Sequence, residues 1–461
     1  MRPHSWKISF EILAASVPAF ITGWAAAKYT ILFPYWDDWS LFPLLESWRL
    51  GTFPWMDLWR QHNEHRIIAA KLIHVPLAWL TRWDMRPMIA MNFLTALAGW
   101  FFLIRLIHRE KDSLGRGGRW MLLLAGGISL FTFRQYENWI WASELVCFLA
   151  ASSALGSSVL LSENPLTFGR FAAAVSLAVI GSFSFSSGLV IWPAGFIVLV
   201  LPGWRSRWKL AGLWSIIAAL VLCVWMIGYV KPPHHPPLVF DPLKLMRYVM
   251  VYLGSFFSLN PHTGLMFGAA GLLAFAGLTV HFFRSRKNSS SLFAGFSGLC
   301  LFALFNGLLT AAGRAGFGEV QATASRYAAF SALFWIGLSG LLLGARPQFR
   351  QKIRDVCFLS LFLEGLFLFV LAGAAAASVR SFPGIVELQR GVHQDVAEYL
   401  DHPAEAQLYH VYTEPDKIRP NIEKLRSWSF SVFAPDQEAR LRASLTGIRP
   451  YPKRAYYAPE K

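Results

Sequence analysis

Apolar stretches long enough to cross a bilayer recur along most of this chain, and that recurrence decides its class before any single residue is considered. A crossing helix needs about 20 predominantly apolar residues. Runs of that kind begin near residue 8 and recur to residue 377, in a chain that is 55% hydrophobic and only 15% charged. A soluble domain carries about a quarter charged residues. A transmembrane barrel would show alternating segments of about ten residues instead. The expected fold class is therefore an all-α polytopic membrane protein.

Spans are expected at 8–34, 86–107, 119–136, 138–161, 171–187, 189–204, 210–229, 265–283, 291–312, 328–345 and 355–377. The segment 67–83 is apolar but short, and Lys71, His74 and Pro76 break it. Charge decides how it lies. If it rests in the interface, the basic clusters Arg105–Arg119, Arg205–Lys209, Arg284–Lys287 and Arg346–Arg354 all fall on one side. If it crosses, all of them move to the other side. Basic residues concentrate on the cytoplasmic side, so the interfacial placement is preferred. It gives about 11 transmembrane helices, with the N-terminus inside and the C-terminus outside. The formal net charge of +16 is then topological, and no nucleic-acid partner is expected. The first apolar run has the basic Arg2 and Lys7 ahead of it and no clear cleavage site, so it reads as an uncleaved span. The four cysteines lie in or beside apolar runs and form no CxxC pair, which points to packing and not to a disulfide or zinc framework.

With this orientation the polar chemistry collects on the outer face. The first outer loop, 35–83, opens with Tyr35-Trp36-Asp37-Asp38-Trp39 and carries His62-Asn63-Glu64-His65-Arg66. Further outer segments are Gln135–Asn138, Ser184–Gly188, the proline-rich Lys231–Pro237, Asn260–His262 and Arg314–Tyr327. From about Ser378 long apolar runs stop and charges of both signs mix. Ile385, Leu388, Val392, Val396 and Tyr399 recur at helical spacing, and Trp428–Phe433 alternates as a strand would. Residues 1–377 thus read as a transmembrane domain and 378–461 as a small periplasmic α/β appendage.

Two adjacent carboxylates repel each other, which leaves one a base and raises the pKa of the other. Asp37-Asp38 suits proton abstraction on those grounds; the plain alternative is a helix N-cap beside a solvated acid. Glu137 falls at the outer end of a span, level with that pair. His62 and His65, spaced to share a helix face, together with Asn63, Glu64 and Arg66, suit substrate binding. Metal binding and ordinary interfacial capping are the alternatives. Arg314, Arg326 and Tyr327 sit between two spans on the outer side, where guanidinium groups suit a phosphate. His234 and His235 read as parts of an extended connection.

This constellation resembles the GT-C superfamily of integral membrane glycosyltransferases. There a first span leads to a long outer loop that opens with an acidic pair, interfacial helices follow, and a second acid sits in the next short outer loop. Asp37-Asp38 matches the pair and Glu137 the second acid. Arg314 or Arg326 would hold the lipid phosphate. The likeness covers roughly 1–377, and neither the His-Asn-Glu-His-Arg run nor the appendage belongs to the general pattern. It implies transfer of a sugar from a polyprenyl-phosphate donor to a periplasmic glycan, lipid or protein acceptor at a bacterial inner membrane. Asp37 would be the base, and Asp38 and Glu137 would orient the acceptor or a divalent ion such as magnesium or manganese; no cofactor or metal ligand is otherwise implied. The rivals are a transporter or flippase of lipid-linked precursors and a non-catalytic envelope assembly protein.

Overall fold

The structure is a computed structural model that describes residues 4–284, 291–352 and 357–446. Arg286, Lys287 and Arg354 of the basic clusters lie outside the described residues, as do the side chains of Lys7, Arg346, Arg350, Lys352 and Cys357. Seven helices among the described residues are long and apolar enough to cross a membrane, so the chain is a polytopic helical membrane protein. No strand occurs among the described residues; the only ladder contact is an isolated bridge between His62 and His65.

The first apolar run forms two helices, α1 (His4–Ala15) and α2 (Val17–Lys28). Pro18 near the start of α2 cannot donate to the turn before it, so the helix restarts after Ser16. In the polar loop that follows, α3 (Phe42–Arg49) and α4 (Trp55–Trp59) are short. They are followed by α5 (Ile68–Leu80). With 13 residues, α5 spans about 20 Å at 1.5 Å per residue, against about 30 Å of bilayer core. Its outward residues Leu72 and Leu80 are apolar and exposed. Both features fit a helix that enters the interface without crossing.

Helices α6 (Met85–Arg109) and α7 (Lys111–Leu130) form the next antiparallel pair. The chain then unwinds. A 3-10 turn, the five-residue α8 (Tyr136–Ile140) and a second 3-10 turn carry it from 131 to 144 before α9 (Leu145–Leu161). The spans expected at 119–136 and 138–161 are correspondingly shorter. The same happens between α10 (Phe168–Ser182) and α11 (Ile191–Val200), where 183–190 leaves the helix. In both places the unwound piece carries polar groups toward one end of the bundle.

Helix α12 (Trp204–Met226) precedes α13 (Pro242–Gly254), which was not expected, and α14 (Pro261–Arg284). Helices α13 and α14 lie backbone to backbone: a Cβ on Gly254 would fall 1.8 Å from the Gly264 carbonyl oxygen, and one on Gly268 1.8 Å from that of Met250. Small residues allow such crossings in membranes. Helices α15 (Ser291–Arg314) and α16 (Ala328–Lys352) form the buried centre, and the apolar span within α16 is wholly buried.

Opposite charges knit one end of the bundle. Arg105 and Arg170 pair with Glu163, Arg116 and Arg119 with Glu11, and Arg109 with Glu110. The 105–119 cluster supplies most of these cations, and Arg207 of the second cluster donates to the Leu161 and Glu163 carbonyls at the same end. The acidic pair and the histidine run lie at the other.

The last span is α17 (Cys357–Asp401), a single helix of 45 residues. It runs without a break across the expected domain boundary at 377/378 and becomes the spine of the appendage. Ile385, Val392, Val396 and Tyr399 are buried along it, as their helical spacing implied. Helices α18 (Pro415–Trp428) and α19 (Gln437–Leu445) follow, and the described part of the appendage, to residue 446, is helical with no strand. The strand expected at 428–433 is absent, because Ser429 and Ser431 adopt φ values of 56° and 55°. Left-handed residues end α18 and start a 3-10 turn, which no extended strand tolerates.

Candidate functional site

A cavity of about 600 Å³ lies at the polar end of the bundle. The 35–66 loop, α5, the 183–190 stretch, the 225–238 segment, the end of α15 and the 3-10 turn before α16 form its walls. It gathers Asp37, His62, Asn63, Glu64, His65, Arg314, Arg326 and Tyr327 from positions up to 290 residues apart in the chain.

Asp37 sits in a 3-10 helix, Trp36–Leu41, entered from extended backbone at Tyr35. Its Oδ1 lies 3.4 Å from His62 Nε2. Burial in the cavity wall raises its pKa, but the hydrogen bond and charge of His62, with Arg326 and His65, outweigh that and hold the carboxyl below its usual range. Asp37 is therefore ionised and able to accept a proton.

Asp38 has a different role from the one its pairing implied. A 3-10 helix turns about 120° per residue, and Asp38 points away from the cavity. It is fully buried. One carboxylate oxygen accepts the Tyr35 N–H at 3.0 Å, which caps the 3-10 helix, and the other accepts the Ser143 N–H at 2.9 Å and its hydroxyl at 2.5 Å. Burial and the nearby Asp37 charge push its pKa up to about 7 in spite of those bonds. Asp38 staples the loop to the turn before α9 and does not line the cavity. Of the two readings of the pair, Asp38 takes the capping role and Asp37 the open one.

The histidine run forms a tight turn and not a helix face. His62 and His65 exchange both backbone hydrogen bonds at 2.9 Å, with Asn63 at φ 48°. Asn tolerates that conformation well. The Ser186 N–H donates to His65 Nδ1 at 3.3 Å, so Nδ1 is the acceptor and Nε2 carries the hydrogen that points at Glu64 Oε1, 3.4 Å away. The His65 ring stacks on Phe185 at 3.8 Å. Burial, opposed by Glu64, pushes its pKa down to about 3. Glu64 is raised by burial but more strongly lowered by His65 and Arg314, to about 2.

Glu64 already occupies one of the two candidate phosphate ligands. It forms an ion pair with Arg314, whose Nε lies 3.0 Å from Oε1. It also meets His235 Nε2 at 3.4 Å. The segment bearing His234 and His235, expected to be a plain extended connection, therefore folds over the cavity. Arg326 is different. Its guanidinium lines the cavity, feels the charges of Glu137, Glu144 and Asp37, and hydrogen-bonds none of the described residues. It is the cation with donors to spare.

Two further expectations are corrected. Arg66 is buried and does not line the cavity: its guanidinium donates to the carbonyls of Trp59 at 2.6 Å, Trp225 at 3.2 Å and Ile227 at 2.5 Å. It ties the loop to the end of α12, because guanidinium offers five donors in a fixed fork. Glu137 lies behind the cavity wall and accepts a hydrogen bond from Ser325 Oγ next to Arg326. The acid that reaches the cavity from this region is Glu144, buried and bonded to Cys147. Glu144 falls within the span expected at 138–161. Lys71 and His74 also line the cavity from α5; their polarity in an otherwise apolar segment was the available signal.

Met226, Leu238 and Leu309 edge the cavity and are 48%, 52% and 39% exposed. The cavity thus has an apolar lip, an ionised carboxylate and an uncommitted cation. Among the described residues no group of three His, Cys, Asp or Glu side chains gathers closely enough to hold a metal ion. Comparison of the chain with protein-family models, with curated proteins and with solved structures finds no match.

Proposed function

We propose that this protein is a GT-C-type membrane glycosyltransferase that moves a sugar from a polyprenyl-phosphate donor to a glycan, lipid or protein acceptor outside a bacterial inner membrane. The observation that carries the reading is the presence of Asp37 and Arg326 in one cavity whose lip is apolar. A lipid phosphate needs an apolar path for its tail and a cation for its head. A hydroxyl acceptor needs a base. The cavity offers all three.

In this reading the donor tail leaves past Met226, Leu238 and Leu309, and its phosphate meets Arg326. The acceptor hydroxyl approaches Asp37. As its oxygen bonds to the anomeric carbon, its proton passes to Asp37. The bond between that carbon and the phosphate oxygen breaks, and its electron pair stays on the phosphate. Arg326 stabilises the charge that develops there, the kind of preorganised electrostatic help that weighs most in catalysis. Glu144 and Glu137 hold Arg326 in place by charge. The eleven helical spans expected from the sequence, with the N-terminus cytoplasmic and the C-terminus periplasmic, complete the architecture; α5 stays at the outer interface.

The test is turnover by purified protein in nanodiscs supplied with polyprenyl-phosphate sugars and mixed acceptors. Release of polyprenyl phosphate with a glycosylated product supports the reading. Movement of intact donor across reconstituted vesicles, without cleavage, would favour the transporter instead.

A further inference from the structure

We infer that the C-terminal appendage is a working part of the cavity: through Val411 and Tyr412 it fixes Trp36, and thereby aims the carboxylate of Asp37. The inference rests on the reading of Asp37 as the proton acceptor.

Trp36 has φ 46°, a left-handed conformation that is an outlier for a bulky residue. Such a conformation persists only where the surroundings over-determine it. Here one determinant comes from the appendage. The Trp36 N–H donates to the Val411 carbonyl at 3.0 Å. The Trp36 ring packs on that of Tyr412, with centroids 6.4 Å apart. The other determinant comes from the membrane bundle. Trp141 Nε1 donates to the Tyr35 carbonyl at 3.0 Å, and Asp38 is stapled to Ser143. Asp37 is thus suspended between a neighbour held by the bundle and a neighbour held by the appendage.

The appendage is itself anchored firmly enough to serve. Val411 is fully buried, and the turn that carries it is clamped to α17, where Asp395 accepts both the His410 N–H at 2.7 Å and its ring Nδ1–H at 2.9 Å. The same helix grips the loop upstream of Asp37. His393 Nε2 accepts the Leu32 N–H at 3.0 Å, and Gln389 donates to the Thr30 carbonyl at 3.2 Å. Downstream, Trp428 stacks on Phe42 at 5.5 Å and Lys424 pairs with Glu46 at 2.5 Å. The appendage therefore brackets the loop on both sides of Asp37, while the phosphate-facing Arg326 sits in the 3-10 turn before α16 and makes no hydrogen bond or ring contact with it.

That separation makes the role testable in the full-length protein. Tyr412→Ala removes the ring under Trp36, and Tyr412→Phe keeps it. A misplacement of about 1 Å can cost roughly 100-fold in rate. Tyr412→Ala should lower kcat by about 10- to 100-fold, leave KM for the donor and the affinity for polyprenyl phosphate unchanged, and speed hydrogen–deuterium exchange in peptide 35–41. Tyr412→Phe should restore all three to wild-type values. Unchanged exchange at 35–41 in Tyr412→Ala, or a loss of lipid-phosphate affinity in proportion to kcat, would overturn the inference. The exchange measurement needs no turnover. If the wild-type protein transfers no sugar at all, the proposed function fails, and exchange still decides whether the appendage fixes this loop.

Discussion

Removing the Arg326 guanidinium should weaken lipid-phosphate binding far more than removing that of Arg314, although the two lie in the same cavity. The difference follows from what each already holds. Arg314 is paired with Glu64, so a phosphate reaches it only in competition with that carboxylate. The Arg326 guanidinium makes no hydrogen bond to the described residues and can offer its donors without losing any. A hydrogen bond to a charged group contributes about 1.5–3 kcal/mol. Arg326→Ala should therefore raise the Kd for polyprenyl phosphate by roughly 10- to 150-fold. The upper end is expected, because Asp37, Glu137 and Glu144 would then face the phosphate without the cation they now surround. Arg326→Lys keeps the charge but not the paired donors, and should fall between. Arg314→Ala should cost less than about tenfold. The assay is binding of polyprenyl phosphate to purified protein in nanodiscs, with size-exclusion profiles as the check on folding. An Arg314→Ala effect equal to or larger than that of Arg326→Ala would refute the reasoning, as would unchanged affinity in Arg326→Ala.

Other expectations follow from the same geometry. His65 is held neutral by burial, which pushes its pKa down to about 3; its contribution to stability is complete above about pH 6.5, the ordinary histidine value, and is lost as pH falls toward 3, a loss of about 2 kcal/mol by pH 5. Thermal unfolding of the wild type should show this decline between pH 7 and 4, and His65→Gln should flatten it; equal slopes would show that His65 does not carry the effect. Cysteine labelling at Ser113, beside the basic end, should report the cytoplasm, and at His235, over the cavity, the outer side. The opposite pattern would overturn the assigned orientation.

The helical bundle was legible because bilayer-length apolar runs admit few folds, and the basic clusters marked which ends lie together. What escaped was local. The segments 131–144 and 183–190 look apolar enough to continue their spans, yet they unwind into short turns. Glu144 disappeared into an expected span for that reason. Helix α13 follows a proline-rich stretch and carries Lys244 and Arg247, so it matched neither a span nor a loop. Residue type found the right region at 35–66 but not the division of labour within it. Asp37 and Asp38 are chemically identical, and only the pitch of a 3-10 helix turns one to the cavity and buries the other. Arg66 offered the same donors as Arg326, but three backbone carbonyls had already claimed them. The strand expected at 428–433 rested on alternation alone, and two left-handed serines defeated it.

The account turns on Asp37 as the group that takes the acceptor's proton. Asp37→Asn keeps the size of the side chain and its contact with His62 but removes the basic carboxylate. Turnover of a polyprenyl-phosphate sugar by this variant in nanodiscs, measured alongside its affinity for polyprenyl phosphate, is the most direct measurement. The expected result is a fall in transfer of about 10²- to 10⁴-fold, the range for loss of a general base, with lipid-phosphate affinity retained through Arg326. Transfer at a near wild-type rate would contradict the account and remove Asp37 from the mechanism.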